Sequence, residues 1–261
     1  IITFFPHPVV VLRKITDAHY LSSPEERAAL LAKSGIDLLI TLPFTLELAA
    51  VSAADFMQRL SERLGVRQLW VGADFALGRN REGSVSRLRE IGERMGFDVR
   101  VIDPVLDEHE VISSSLIRAA VRAGRVREAA RMLGRNYTVS GEVIHGDGRG
   151  HSLGIPTANV AYWPQRLLPA YGIYANWVNL DNQRIPAVSN VGIRPMFENP
   201  QLGPQVEAHI LDFDQDLYGK EITIEFVEYL RAEQKFASIS ALLGQIQKDI
   251  QIAREVLKYA G

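Results

Sequence analysis

The hydrophobic pattern of this chain changes near Gly134, and that change constrains the fold more than any other feature. Up to about residue 120, apolar runs of strand length alternate with segments of helical period. Serines stand where helices should begin and glycines where they should end. This alternation predicts an α/β doubly wound parallel sheet of strands buried on both faces, with ligands at the strands' carboxyl ends. The predicted strands are 1–5, 36–42, 67–72 and 97–102, and the predicted helices are 24–33, 53–64 and 84–95.

After Gly134 the apolar residues alternate with period two, which is typical of strands with one buried face. Closely spaced strands without intervening helices predict a small antiparallel β-barrel or sandwich. Helical period returns over 238–257, so a C-terminal helix should close the domain. We therefore predict three parts: 1–124, a linker helix within 125–133, and 134–261. The predicted strands are 137–146, 172–180, 205–213 and 221–230, with a hairpin turn at 180–183.

Composition excludes several classes of function. The 261 residues carry 29 Lys and Arg against 31 Asp and Glu, and the net charge of -2 gives no basic field for nucleic acid. No apolar run approaches the roughly 20 residues that span a bilayer. The chain has no cysteine, so disulfides and thiolate metal clusters are excluded, which suits a reducing cytosol. We expect a cytoplasmic protein with a local anion site, and a homo-oligomer stays open.

A glycine-crowded run, GDGRGHSLGIPTANV, is the first candidate site. Glycines let backbone N–H groups approach phosphates closely. Thr157 and Asn159 add hydroxyl and amide oxygens, which are hard ligands suited to Mg2+. By themselves these residues also fit a simple turn with a capping Thr and a turn Asn. The glycines of the run are Gly146, Gly148, Gly150 and Gly154.

Glu207 is the candidate base of a reaction. In QVEAHILDF it shares a strand face with His209, while Val206 and Ala208 face the other way. A carboxylate that faces a ligand can accept the proton of a substrate hydroxyl. A solvated strand carboxylate is the alternative interpretation.

A second candidate site lies at the start of a predicted helix in ISSSLIRAAVRAG. Ser113, Ser114 and Ser115 stand where free N–H groups and the positive end of the helix dipole attract anions. Arg118 adds a positive charge within the first turns. Plain N-capping would account for one of the serines.

The run from Leu133 onward resembles the riboflavin kinase domain of bacterial bifunctional riboflavin kinase/FMN adenylyltransferases, the FAD synthetases. The matching segments include LGRNYTVSGEVIHGDGRGHSLGIPTAN, VSNVGIRPMF, VEAHILDFDQDLYGKEITIEF and LRAEQKF. The resemblance implies that Thr157 and Asn159 bind Mg-ATP, that Glu207 is the base, and that Arg149 and the glycines bind phosphate. It also implies that Arg231 binds flavin. His151 and Met196 depart from the family's usual Arg and Thr.

The first half resembles the same family's adenylyltransferase domain, of the nucleotidyltransferase type. FFPHP, VGADFALGRNREG and ISSSLIRAAVRAG carry the match. It implies that His7, Asp74, the three serines and Arg118 bind ATP and FMN. The family's G-x-F-D-G-x-H-x-G-H motif does not occur in the sequence, which begins just after the motif's usual place. Either the motif lies outside this sequence or the protein has lost it, and in the second case adenylyl transfer should be severely impaired.

Three functions follow as alternatives. The leading one is an enzyme that phosphorylates riboflavin to FMN and adenylylates FMN to FAD, using ATP and Mg2+ in each step. A kinase with an inactive adenylyltransferase domain is the second. A flavin-binding module without turnover is the third, and the combination of Thr157, Asn159 and Glu207 argues against it, since binding alone needs no base.

Overall fold

The computed structural model describes residues 1–108, 110–146, 150, 153–193 and 203–259. Contacts divide the chain into two compact units. The first contains Ile1–Ala18 and Pro24–Ile112, and the second contains His19–Ser23 and Ser113–Gly261. The predicted limits at 124 and 133 stay predictions, and the contacts group everything from Ser113 onward with the second unit.

Two pairs of parallel strands form the centre of the first unit. β1 (Ile2–Phe5) pairs with β2 (Ile40–Pro43), and β3 (Gln68–Gly72) pairs with β6 (Asp98–Ile102). Parallel pairing between helices confirms the predicted α/β class, although β2 begins at Ile40 instead of residue 36. Two short antiparallel pairs complete the strands: β4 (Ala76–Leu77) with β5 (Gly83–Ser84), and β7 (Leu106–Asp107) with β8 (Glu110–Val111).

The β3–β6 pair is buried on one face only, where burial on both faces was expected. Leu69 and Val99 pack against the core, whereas Trp70 on the other face is 61% exposed. The strands also alternate side chains between faces, so the polar partner Arg100 lies beside Trp70.

Helices α4 and α5 form the core of the first unit with the strands. Ser52 accepts a hydrogen bond from Asp55 N at 3.1 Å at the start of α4, and Gly65 ends it in the left-handed conformation. The buried residues of this core are Ala53, Met57, Leu88, Ile91 and Phe97. The helices of the unit are α1 (Pro8–Leu12), α2 (Pro24–Lys33), α3 (Leu46–Ala49), α4 (Ala53–Leu64) and α5 (Val85–Met95), with a 3-10 turn at Arg79–Arg81.

The second unit is a closed barrel of six strands, each antiparallel to its neighbours. The barrel interior is filled by residues such as Tyr137, Tyr174 and Phe226, all fully buried. The barrel confirms the first of the two predicted antiparallel architectures. The strands are β9 (Tyr137–Ile144), β10 (Ala158–Tyr162), β11 (Gly172–Leu180), β12 (Gln183–Gly192), β13 (Gln205–Ile210) and β14 (Glu221–Arg231), in the spatial order β10-β13-β12-β11-β14-β9.

Two of these strands, β10 and β12, go beyond the four that the sequence predicts. Pro186 lies within β12 and lacks the N–H that strand pairing uses, which hides this strand from pattern reading. The predicted hairpin turn between β11 and β12 is present. Asp181 and Asn182 have φ of 47° and 64°, the left-handed conformations that a tight hairpin requires.

Among the described residues of the second unit, three helices are of eight residues or more. They are α6 (Ser114–Arg122), α7 (Val126–Leu133) and α8 (Ile239–Lys258). Ala253 and Leu257 of α8 are buried against the outer face of the barrel, together with Val188 and Val227. The C-terminal helix therefore covers part of the barrel's outside, as its apolar stripe predicts.

Candidate active site of the barrel

Three polar residues form a row across adjacent strands of the barrel. Glu207 of β13 lies opposite Asn159 of β10 on one side and opposite Asn190 of β12 on the other. Directly opposed residues point to the same face of a sheet, with Cβ atoms about 4.5 to 5.5 Å apart. Their neighbours Ala208 and Ser189 are buried, so the row lies on the outer face. The structure thus brings together the predicted base and the predicted amide ligand.

Gly146, one of the described residues of the glycine-rich run, lies against this row. A Cβ atom on Gly146 would come within 2.2 Å of Asn159 Nδ2, so only glycine leaves the amide its place. A Cβ on Gly150 would lie 2.4 Å from the carbonyl oxygen of Ile155 and 3.3 Å from Thr157 Oγ1. Gly146 therefore lies beside the Asn159 amide, and Gly150 lies beside the Thr157 hydroxyl.

Part of the predicted site lies outside the described residues, namely Gly148, Arg149 and His151. Gly154 is described and adopts φ of +75°, a left-handed conformation that suits glycine. Leu153 and Ile155 both donate backbone hydrogen bonds to Gly150 O, at 3.2 and 2.8 Å. These bonds close the turn tightly just before Thr157.

His209 anchors the P-T-A-N segment to the strand of the candidate base. Its Nδ1 lies 2.8 Å from the carbonyl oxygen of Pro156. His209 and Glu207 lie two positions apart on β13 and share one face of the strand. The contact of His209 with Pro156 therefore holds the neighbouring Thr157 on the side of the barrel where the Glu207 carboxylate lies. The sequence predicts that His209 shares a face with Glu207, and the contact with Pro156 follows from that position.

Arg231 ends β14 and forms a buried ion pair with helix α8. Its Nε and Nη2 donate to the carboxylate of Asp249, with Nη2 to Oδ2 at 2.7 Å, and Gln245 Nε2 donates to Oδ1 at 2.9 Å. Asp249 is only 2% exposed. The predicted flavin ligand is thus held in place by α8 on one side of its guanidinium, and its role toward flavin stays a prediction.

Two predicted adenylyltransferase residues lie in the first unit. His7 caps α1, where its Nδ1 accepts a hydrogen bond from Val9 N at 3.2 Å. Asp74 follows β3, and its carbonyl oxygen accepts a hydrogen bond from Arg81 Nη2 at 3.0 Å. Asp74 therefore stands past the carboxyl end of a parallel strand, the position at which such sheets bind ligands.

The other predicted adenylyltransferase residues lie in the second unit at the start of α6. Ser113 is the N-cap and accepts a hydrogen bond from Leu116 N at 3.2 Å, while Ser114 and Ser115 are exposed. Partial burial lowers the pKa of Arg118, and the neighbouring charge of Arg122 lowers it further. The N–H groups at the start of α6 and the positive charge of Arg118 favour the binding of an anion, whereas Arg122 lies in the last turn of the helix.

The donor set of the barrel site fits Mg2+ held mainly by nucleotide phosphates. Hydroxyl and amide oxygens are hard ligands, and Thr157 and Asn159 supply one of each. Over the described ranges, no cluster of three or more His, Cys, Asp and Glu side chains forms a metal site.

Two family models match the chain and together cover most of it. The riboflavin kinase model matches residues 133–257, and the FAD synthetase model matches residues 1–116. The two matched ranges leave residues 117–132 between them. They define a two-part ATP-dependent transferase of flavins, with a nucleotidyltransferase half and a barrel kinase half.

Curated relatives agree. The bifunctional riboflavin kinase/FMN adenylyltransferase of Listeria monocytogenes is 33% identical over 97% of this chain and 81% of that protein. The protein of the same name from Escherichia coli K12 is 34% identical over 98% of this chain and 81% of its own. The chain belongs to the bifunctional riboflavin kinase/FMN adenylyltransferase family. Its reactions are the phosphorylation of riboflavin to FMN and the adenylylation of FMN to FAD.

A solved structure supports the fold along nearly the whole chain. A crystal structure described as a macrolide-efflux protein from Streptococcus pneumoniae superposes with a TM-score of 0.89 at 29% identity, covering 97% of this chain and 82% of that one. In the described part of this chain, none of the helices combines the length and the apolar character that crossing a membrane requires.

Sequence reasoning missed three residues around the site: Asn190, Glu233 and Asp249. Asn190 and Glu233 lie within VSNVGIRPMF and LRAEQKF, two segments that carried the family resemblance. The segments gave no sign that the two residues meet, because they are 43 positions apart. Only the pairing of the barrel strands brings them together.

Proposed function

We propose that Glu207 is the general base of the kinase half. It would accept the proton of the riboflavin 5'-hydroxyl while that oxygen attacks the γ-phosphorus of ATP. The new O–P bond forms as the bond from the γ-phosphorus to the bridging oxygen breaks, and ADP leaves with the electron pair. The observation that carries this proposal is the direct opposition of Asn159 and Glu207 on β10 and β13.

Thr157 and Asn159 are the proposed ligands of Mg2+, which would neutralise phosphate charge during transfer. Gly146, Gly150 and the remaining glycines, with Arg149, are proposed to bind the phosphates through backbone N–H groups and charge. The close approach of Gly146 to the Asn159 amide supports this assignment. Arg231 is the proposed flavin ligand, fixed by its ion pair with Asp249.

For the adenylyltransferase half, His7, Asp74, the serines 113–115 and Arg118 are the proposed ligands of ATP and FMN. The FMN phosphate is already an anion and attacks the α-phosphorus without a base, so this half has mainly to neutralise charge. The half-buried Arg118 beside Arg122 supports such a role.

We further propose that the enzyme works in the cytoplasm on ATP, riboflavin, FMN and FAD with Mg2+, and that it binds neither nucleic acid nor a membrane. The even balance of 29 basic and 31 acidic residues supports the absence of a nucleic-acid partner. A homo-oligomer stays an open prediction, which sedimentation of the purified chain tests.

The Glu207→Gln variant tests the proposed base. An amide cannot take the hydroxyl proton, so kinase kcat should fall by about 100-fold or more, while riboflavin binding stays near wild type. Glu142→Gln, which changes an exposed carboxylate on β9, is the matched control and should retain full turnover. Wild-type turnover by Glu207→Gln would remove the role assigned to this residue.

A further inference from the structure

The structure holds a second side-chain amide beside the proposed base, and nothing in the kinase role assigned above uses it. Asn190 of β12 lies directly opposite Glu207 of β13, on the side away from Asn159. Opposed side chains on antiparallel strands are close enough for hydrogen bonding when one of them is as long as Glu. The base therefore lies between two amides.

Glu233 fixes the orientation of the Asn190 amide. Asn190 Nδ2 donates a hydrogen bond to Glu233 Oε1 at 3.1 Å. A carboxylate only accepts hydrogen bonds, so it must face the NH2 end of the amide. Gly192 makes this contact sterically feasible, because a Cβ atom at that position would lie 2.1 Å from the same Oε1.

The oxygen end of the Asn190 amide is buried and lacks a hydrogen-bond donor among the described residues. Asn190 Oδ1 is shielded from solvent, and within the described ranges it has no hydrogen-bond partner. A buried acceptor without a donor is unfavourable, and such a group in a native structure calls for an explanation. The orienting bond to Glu233 prevents the amide from turning its NH2 end inward instead.

We propose that Asn190, oriented by Glu233, is a positioning residue for Glu207. When Glu207 takes the substrate's hydroxyl proton, its carboxylate becomes a carboxylic acid with an O–H donor. Asn190 Oδ1 accepts a hydrogen bond from that new O–H, so the acceptor that lacks a partner before transfer gains one as the proton moves. The inference rests on the proposed role of Glu207 as base.

The test uses steady-state kinase kinetics of the full chain. Asn190→Leu, of similar shape, should lower kcat by about ten-fold and leave the KM for riboflavin and for ATP within two-fold, because the bond forms only as the proton transfers. Asn179→Leu is the matched control. Asn179 also donates to a carboxylate, Glu225 Oε1 at 2.6 Å, on another part of the barrel, and its loss should leave kcat unchanged.

Variants of Glu233 test the same bond without disturbing the barrel, since Glu233 is exposed. Glu233→Ala should lower kcat as Asn190→Leu does, whereas Glu233→Gln keeps an acceptor for Nδ2 and should restore most of it. The double variant Asn190→Leu/Glu233→Ala should be no slower than Asn190→Leu, because both changes remove one shared interaction.

Parallel assays of Glu207→Gln separate the two proposals. If Glu207→Gln is slow but Asn190→Leu and Glu233→Ala keep wild-type kcat, the inference about Asn190 is overturned and the base stands. If Glu207→Gln turns over normally, both are overturned. An equal loss in Glu233→Gln and Glu233→Ala would also overturn the inference, because the charge of Glu233 and not its acceptor would then matter.

Discussion

Asn159 and Glu207 are direct cross-strand partners on the outer face of the barrel, although 48 positions separate them in the chain. The register of β10 against β13 sets this relationship, because each strand turns alternate residues outward. The pairing places the Asn159 amide beside the Glu207 carboxylate, so the kinase site proposed above depends on strand register as well as on residue identity.

Gly146 should be essential for the geometry of the kinase site. In Gly146→Ala the new Cβ would meet the Asn159 amide at 2.2 Å, so the amide must leave its place. We expect kinase kcat to fall about ten-fold or more, since small displacements of positioning groups are costly to rate. Gly244→Ala on helix α8 has open space around its Cβ, and this control should keep full activity. Unchanged kinase kinetics in Gly146→Ala would argue against the site.

The Arg231–Asp249 ion pair should stabilise the docking of α8 strongly. Asp249→Ala would leave a largely buried guanidinium without its partner, and we expect the free energy of unfolding to fall by about 3 kcal/mol. As the control, Asp212→Asn removes the charge of the exposed carboxylate that pairs with Arg254 of α8. Asn tolerates the left-handed φ of 56° at this position, so the change should cost about 0.5 kcal/mol. Urea unfolding followed by circular dichroism measures both, and equal losses would contradict the difference in burial.

Glu225 should make the barrel sensitive to acid. Burial raises the pKa of this carboxyl, but hydrogen bonds from Asn179, Asn136 and Arg184 outweigh it and lower the pKa below the ordinary value of 4.5. A lowered folded-state pKa contributes stability that is fully present above the unfolded value and is lost as the pH falls through the folded-state pKa. Unfolding free energy should therefore decline as the pH falls below 4.5.

Glu225→Gln should flatten this decline, since the amide does not titrate. Asp214→Asn removes an exposed carboxylate of the same unit and should leave the decline as it is. Stability curves of the three proteins between pH 3 and pH 7 provide the comparison. Parallel curves for wild type and Glu225→Gln would show that the hydrogen-bonded cluster does not set the acid limit.

The order of flavin products should follow from the two halves. With riboflavin, ATP and Mg2+, we expect FMN to appear first and FAD to follow, as chromatography over time would record. Glu207→Gln should form little FMN from riboflavin yet still convert supplied FMN to FAD, because its change affects only the kinase step. FMN that accumulates without FAD in the wild-type protein would contradict the adenylyltransferase assignment.

Several features of the fold follow from local sequence. Ser52 and Gly65 bound α4 as N-cap and left-handed C-cap, and the two residues Asp181 and Asn182 form the predicted hairpin turn. These features depend only on residues a few positions apart, so a short stretch of sequence contains all the interacting groups. The hydrophobic period is also a local property. Apolar strand-length runs alternating with helical period predicted the α/β unit, and the period of two predicted the barrel.

Local sequence is sufficient to predict which segments form helices and which form strands. It also shows that glycines, a hydroxyl and an amide occur together in and before the P-T-A-N run. The position of Glu207 between Asn159 and Asn190 is visible only in the folded barrel. The same holds for the contact of Glu233 with Gly192 and for the ion pair of Asp249 with Arg231. The physical reason is that closing the barrel fixes which strands are neighbours and in what register. Residues tens of positions apart become partners only through that closure, and no local pattern records it.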